Sequence, residues 1–335
     1  MVNCKMNDRL LELDFLKGVM MILVVMFHLV ILDVTYPTLR AAVYTFHVPI
    51  FMLISGYLSR VDKTLKVFRK GLFKLLLPYV IFETIYILML YFGGTFMHST
   101  NSVDSFTFNG VLLRLAAYPL GAYWYLHALI ICSSVYYLVC HFLNVNQITK
   151  LLIVGLILYS ICYVIERVGW APITSGGGFV WESILYYLLG IYISNLEVSF
   201  EKVIPPSWLA IVPLMLLFMF PDNFHRGTLA GISITLLVMS FLMWVFIYVW
   251  KPAKDLLCYV GRNSLIIFVF SPIFTSFTKF AVPFFGFDPT IIIFTIVATC
   301  FIIMCSLQSA HLLDRWHLSK YLFGKEKVYV SITNL

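Results

Sequence analysis

Apolar runs recur along the whole chain, at roughly residues 18–32, 42–58, 73–92, 120–142, 151–165, 179–194, 207–220, 228–250, 264–280 and 290–307. This recurrence restricts the fold more than any other feature. A backbone in lipid must satisfy its own polar groups, which leaves helices or closed barrels. Barrel strands read as short alternating segments, whereas these runs are continuous. The expected fold is therefore an all-α polytopic membrane bundle of about ten transmembrane helices. Several runs fall short of the ~20 residues that span a bilayer untilted. They are expected to extend into polar flanks or to pack as broken helices. The weakest are 207–220, which follows Pro205-Pro206, and 264–280, which holds Pro272. Charged residues make up 12% of the chain and hydrophobic residues 61%, against about 25% charged in a soluble domain. That balance excludes a soluble enzyme, a disordered tail and a fibrous repeat.

Short connections and the lack of a visible internal repeat suggest one membrane domain over residues 1–335. Lys5, Arg9 and Lys17 precede the first apolar run, as in a signal peptide. No small-residue cleavage pattern follows, so a retained first helix over 9–32 is expected. Basic residues set the orientation. Of 23 Lys and Arg, 18 fall in alternate connections that include the stretch 59–74 and the tail 311–335. The other five are Arg40, Arg114, Arg167, Arg226 and Lys279. By the positive-inside bias, both termini are expected in the cytoplasm. The net charge of +7 follows from the same bias and does not point to nucleic acid. Seven scattered cysteines without a CxxC pair read as packing residues, with neither a disulfide framework nor a metal site.

The first helix carries the densest chemistry. Lys17 and His28 are 11 positions apart. At 100° per residue this is three turns plus about 20°, so they share a face and stand ~16 Å apart along the axis. Asp14 lies three positions before Lys17 and joins that face. With Lys17 at the boundary, His28 falls near the middle of a ~30 Å hydrocarbon core. An ionisable group at that depth is expensive and marks a functional site. The alternative is a histidine bonded to a neighbouring carbonyl. His47 in the second apolar run, beside Pro49, has the same two readings, and Gly56 permits close helix approach.

The strings Asp14-Phe-Leu-Lys17-Gly18, His28, Phe46-His47-Val48-Pro49-Ile50-Phe51 and Ser55-Gly56-Tyr57 resemble the acyltransferase type 3 family. Its first helix has a basic residue, ten positions, then histidine. Its second has a Phe-His-Met-Pro-Leu-Phe-like stretch ending in Ser-Gly-Tyr or Ser-Gly-Phe. Weaker echoes are Leu76-Leu77-Pro78-Tyr79, Tyr123-Trp124-Tyr125-Leu126 and Gly261-Arg262-Asn263-Ser264-Leu265, so the resemblance covers roughly residues 9–272. The chain departs from the family in three places. Lys17 stands where many members have Arg, which loses a bidentate fork for phosphate. Ser271 stands where a histidine usually follows the late motif. An arginine expected near the sixth segment is missing, with Gly176-Gly177-Gly178 and Glu182 there instead.

The resemblance implies a membrane-bound enzyme that O-acylates a cell-surface glycan or lipid-linked sugar in a bacterial inner membrane, with cytoplasmic acetyl-CoA as donor and no metal. His28 would be general base or acyl carrier, assisted by His47, with Lys17 and Asp14 at the mouth of a tunnel. Lys66, Arg69 and Lys70 in the basic stretch would clamp the CoA phosphates, although anionic lipid also attracts such a stretch. Glu83, Trp124 and His127 are candidates to line the acceptor site. The aromatic run at Trp124 equally suits an interfacial belt. A rival reading is a transporter of a polysaccharide or lipid-linked sugar. It lacks the matched, broken helix pairs such transporters carry. A third is a scaffold of the same fold that has lost the chemistry.

Overall fold

A computed structural model describes residues 10–59, 63–97, 106–117, 119–167, 179–196 and 198–331. Lys5, Arg9, Arg60 and the Gly176–Gly178 turn lie outside the described residues, as does the start of the expected first helix. Among those described, every regular element is helical. In chain order the first five are α1 (Leu11–Phe27), α2 (Val30–Thr35), α3 (Pro37–Tyr57), α4 (Leu65–Met97) and α5 (Phe108–Ala117). The middle of the chain forms α6 (Trp124–Phe142), α7 (Gln147–Arg167), α8 (Phe179–Ser194), α9 (Phe200–Val203) and α10 (Ile211–Phe218). The last five are α11 (Leu229–Tyr248), α12 (Lys251–Arg262), α13 (Ser264–Thr278), α14 (Ile292–Arg315) and α15 (Ser319–Phe323).

All ten apolar runs contain helix. Six helical stretches among the described residues are long and apolar enough to cross a membrane: Pro37–Tyr57, Leu65–Gly93, Gly121–Phe142, Leu229–Tyr248, Ser264–Phe285 and Ile292–Arg315. The others are shorter or broken. The run at 207–220 reduces to a 3-10 turn and the eight-residue α10. Two elements depart from expectation. The stretch 59–74 is helical from Leu65, as the first turns of α4, and α4 continues through Pro78 for 33 residues. At ~1.5 Å per residue that is about 50 Å, more than a ~30 Å core requires, so its basic start projects beyond the apolar zone. A separate helix, α12, follows a proline at its first turn and sets Cys258, Val260 and Gly261 inward.

Two seams organise the bundle. α1 lies along α12, and α3 along α8. Both seams are closed by glycine pairs. A Cβ at Gly18 would collide with the Leu257 carbonyl, and one at Gly261 with the Asp14 carbonyl. Gly56 and Gly190 do the same for α3 and α8, against the Tyr187 and Leu53 carbonyls. Small residues are how helices approach closely where lipid supplies no hydrophobic drive. The tail is not free: Asp314 accepts from the backbone N–H groups of Val328 (3.0 Å) and Tyr329 (2.9 Å). Asn263 bonds Val330 through both its amide atoms, at 3.0 Å each.

The first helix does not run to residue 32. It ends at Phe27, with His28 at the cap and Leu29 extended (φ −75°, ψ 109°), and the chain resumes as α2. No proline or glycine causes the break. The Tyr44 hydroxyl donates to the Phe27 carbonyl at 3.0 Å and so satisfies an acceptor that continued helix would have used. Non-helical backbone at membrane depth is tolerated where it lines a cavity, and a cavity lies there.

Candidate functional site

The cavity at the C-terminal end of α1 has a volume of about 600 Å³. Its wall includes Phe27, His28 and Leu29 from the helix break, Val30, Ile31 and Val34 from α2, and Arg40 and Tyr44 from α3. Tyr86 of α4, Ser271, Thr275 and Ser276 of α13, and Lys279 complete its polar lining. Hydroxyls, an imidazole and two cations thus share one chamber with aliphatic surface. Pockets of ~300–1,000 Å³ with a few converging polar groups are the usual form of a small-molecule site.

Tyr44 ties this chamber to the second helix. Its ring lies 4.9 Å from that of His47, and the Arg40 guanidinium sits over the Tyr44 ring, 5.0 Å from its centre. His47 is buried and bonds the Val43 carbonyl through Nδ1 at 2.8 Å. It stands one residue layer behind the wall and does not line the chamber. Arg226, from the connection before α11, is 4% exposed. It donates from Nε to the Tyr44 carbonyl, and its guanidinium is 5.9 Å from the Tyr44 ring. Glu182 of α8 lies within electrostatic reach of Arg226. The cation near Glu182 thus comes from a distant connection and not from the sixth segment itself.

Ser271, the residue standing where the family has histidine, faces the same chamber as His28. Its hydroxyl donates to the Phe268 carbonyl at 3.2 Å. The side chain is a short polar group in space that an imidazole would fill.

The opposite end of α1 is built differently. Asp14, 2% exposed, accepts from Lys17 at 2.8 Å and from Arg262 at 3.2 Å. The Asp14–Lys17 pair is the i,i+3 neighbour expected from sequence. Arg262 comes from the end of α12, 248 positions away, and was marked in sequence only as part of the late Gly-Arg-Asn-Ser-Leu string. The glycine seam brings it there, since Gly261 packs on the Asp14 carbonyl. Neither Asp14 nor Lys17 lines the chamber that holds His28.

Lys66, Arg69 and Lys70 do come together. They border a shallow concavity of about 550 Å³ with Leu65 and Phe73, on the exposed first turns of α4. Lys63, just before the helix, borders a different recess of about 210 Å³. Phe68 between them stacks on Tyr137, ring centres 3.8 Å apart.

Glu83, Trp124 and His127 do not line the His28 chamber. Glu83 is fully buried and accepts from the Leu120 backbone N–H at 2.6 Å. His127 bonds the Ala116 carbonyl through Nε2 at 3.0 Å. Glu83 of α4 thus holds the connection that follows α5, and His127 of α6 holds the last turn of α5. Trp124 packs edge-on to Tyr125. Tyr125 in turn bonds Ser55 at 3.1 Å, and Tyr123 donates to the Val269 carbonyl at 2.8 Å. These aromatic residues knit helices together, a role the sequence could not separate from lining an acceptor site or forming an interfacial belt.

Comparison with known proteins agrees with the motif reading. Two similar curated proteins are the nodulation protein NolL of Sinorhizobium fredii (30% identical over 138 residues) and that of Mesorhizobium japonicum (31% over 136 residues). The alignments span 37% and 36% of this chain, and about a third of each relative, 35% and 34%. No solved structure gives a match. The family profile described as "Acyltransferase domain" matches residues 10–307 and so takes in both ends of α1, α12 and the whole chamber. With six helices among the described residues long and apolar enough to cross a membrane, and this match across most of its length, the chain is an integral membrane protein that belongs to the acyltransferase type 3 family.

Proposed function

We propose that the protein moves an acetyl group from acetyl-CoA to a hydroxyl of a cell-surface polysaccharide or lipid-linked sugar, in a bacterial inner membrane. The observation that carries this reading is His28 on the wall of a ~600 Å³ polar chamber, at a break in the first transmembrane segment. A packing histidine needs no chamber and no broken helix. The basic start of α4 lies at the same end of the bundle as Asp14, Lys17 and Arg262, because α1 and α4 both begin there under the expected orientation. Lys66, Arg69 and Lys70 are the groups suited to phosphate oxygens of the donor.

His28 has two chemically balanced roles. As general base, its ring nitrogen takes the proton of the acceptor hydroxyl while that oxygen attacks the thioester carbonyl. The carbon–sulfur bond then breaks, and the departing thiolate takes the proton from the imidazolium. As acyl carrier, the ring nitrogen attacks the thioester first and releases the thiol. The acceptor hydroxyl then attacks the acyl-imidazole and returns a neutral histidine. The same ring nitrogen can serve in either role. Tyr44 positions the break that presents His28. Asp14 holds Lys17 and Arg262, leaving one net positive charge at the donor end.

The test uses membranes containing the protein, its native glycan and acetyl-CoA labelled in the acetyl group. Alkali-labile label on glycan in wild type, lost in His28→Ala at matched expression, is the expected outcome. Wild type that neither binds acetyl-CoA nor transfers label would sink the reading for that donor.

A further inference from the structure

We infer that the tail turn at Gly324-Lys325 joins Lys70 and Lys74 of α4 in a phosphate-binding site, so that the carboxy-terminal segment is part of a binding surface. Where the phosphate belongs to the acetyl-CoA donor, this rests on the acyl-transfer reading above; an anionic phospholipid headgroup presents the same chemistry.

Cations in a tail need no fixed position to satisfy the positive-inside bias, yet this turn is held at both of its ends. Before it, Phe323 is 1% exposed and packs on Phe82 of α4, ring centres 5.6 Å apart. Gly324 then takes a left-handed conformation (φ +63°), which a residue with a Cβ adopts only at a cost. A Cβ there would lie 3.4 Å from the Phe73 ring and 3.7 Å from the Lys74 side chain. After the turn, Asp314 fixes Val328 and Tyr329, and Asn263 fixes Val330. Asn263 adjoins Arg262, so the tail runs from the basic start of α4 to the cluster around Asp14.

The turn thereby sets one cation beside others. Lys325 is exposed and stands within electrostatic reach of Lys74. Lys66, Lys70 and Lys74 follow one another at four-residue spacing on α4, where like charges destabilise a helix. Phe73, which Gly324 touches, also borders the concavity that Lys66, Arg69 and Lys70 share. The acid within the turn, Glu326, is turned to Lys320 of α15 at 3.6 Å. Folding thus brings like charges together against their repulsion, on an open surface beside an aromatic ring. A multiply charged anion relieves that repulsion and accepts charge-assisted hydrogen bonds from several ammonium groups at once. A phosphate or diphosphate has the charge and the oxygens to do so.

The test uses the full chain in nanodiscs and has two arms. In neutral phosphatidylcholine, acetyl-CoA binding is titrated, with inorganic pyrophosphate as competitor. In mixed discs, retention of phosphatidylglycerol by the protein is measured by native mass spectrometry. Lys74→Gln and Lys325→Gln are each expected to weaken binding of the phosphate-bearing ligand about fivefold, and Lys325→Arg to restore most of the loss. The unliganded thermal midpoint should stay level or rise in the Gln variants, because a repulsion is removed, while stabilisation by ligand shrinks. A lower midpoint with unchanged ligand binding would make the two lysines structural and overturn the inference. Losses in the first arm assign the phosphate to the donor, and losses in the second arm alone assign it to lipid. Variants that bind acetyl-CoA, pyrophosphate and phosphatidylglycerol as wild type does overturn the site, and continued acetyl transfer would then leave the enzyme reading standing. Acetyl-CoA held through both lysines without transfer of label to glycan would keep the site and reject the enzyme reading.

Discussion

The two ends of α1 solve opposite problems with the same helix. At the Asp14 end, one carboxylate buried at 2% exposure meets two cations, and glycines bring α12 into backbone contact. The three charged groups there meet one another. At the His28 end the helix stops, a tyrosine caps it, and polar side chains face a chamber of about 600 Å³. Closed polar networks of the first kind specify a packing arrangement. Open polar surface at membrane depth is costly and is kept for a ligand. On the proposed reading, the Asp14 end supplies packing and charge at the donor side and the His28 end holds the candidate reactive group; both ends contribute to the family's sequence signature.

That division is open to direct attack. The largest effect expected is on turnover: His28→Ala should lower acyl transfer by about 10²–10⁴-fold, the range for loss of a general base. Its thermal midpoint in detergent should stay near wild type, and a collapse of the midpoint would move His28 to the structural side. Arg262→Ala should do the reverse. Removing one partner of a buried ion pair costs about 3 kcal/mol or more, so its midpoint should fall clearly, whereas Lys17→Ala should cost less, because Lys17 keeps 21% of its side chain exposed. Similar losses in the two variants would show that Asp14 does not depend chiefly on α12. Gly18→Val should cost about 1–3 kcal/mol by overpacking the seam, read as lower yield of monodisperse protein. The smallest effect is expected from Tyr44→Phe, about 1 kcal/mol for the lost bond to the Phe27 carbonyl. A change in KM with an unchanged midpoint would show that the cap tunes the chamber rather than the fold.

Much of this was legible in sequence. The apolar runs announced the helices, because lipid leaves the backbone no other local solution. The spacing of Asp14, Lys17 and His28 announced the helix face, and the Asp14–Lys17 pair forms as that spacing requires. What stayed hidden depends on contacts between distant segments. The break after Phe27 has no proline or glycine to mark it, since its cause is a hydroxyl 17 residues later. Arg262 reaches Asp14 from across the chain. Glu83 and His127 read as site residues because they are ionisable and apolar-flanked, and each bonds a backbone group, Glu83 in the connection after α5 and His127 in the last turn of α5. Burial cost is visible in sequence, whereas the group that offsets it is not.

The glycine seam also has a mechanical side. Backbone contact between Gly18 and α12 fixes α1 near its middle, and His28 stands ten residues beyond, ~15 Å along the axis. The seam thus sets the angle of a packed helix whose far end carries the proposed reactive group. A tilt of about 4° at the seam displaces that end by about 1 Å, enough misplacement to cost ~10²-fold in rate. A methyl group added at the seam would thus register as lost catalysis at the far end.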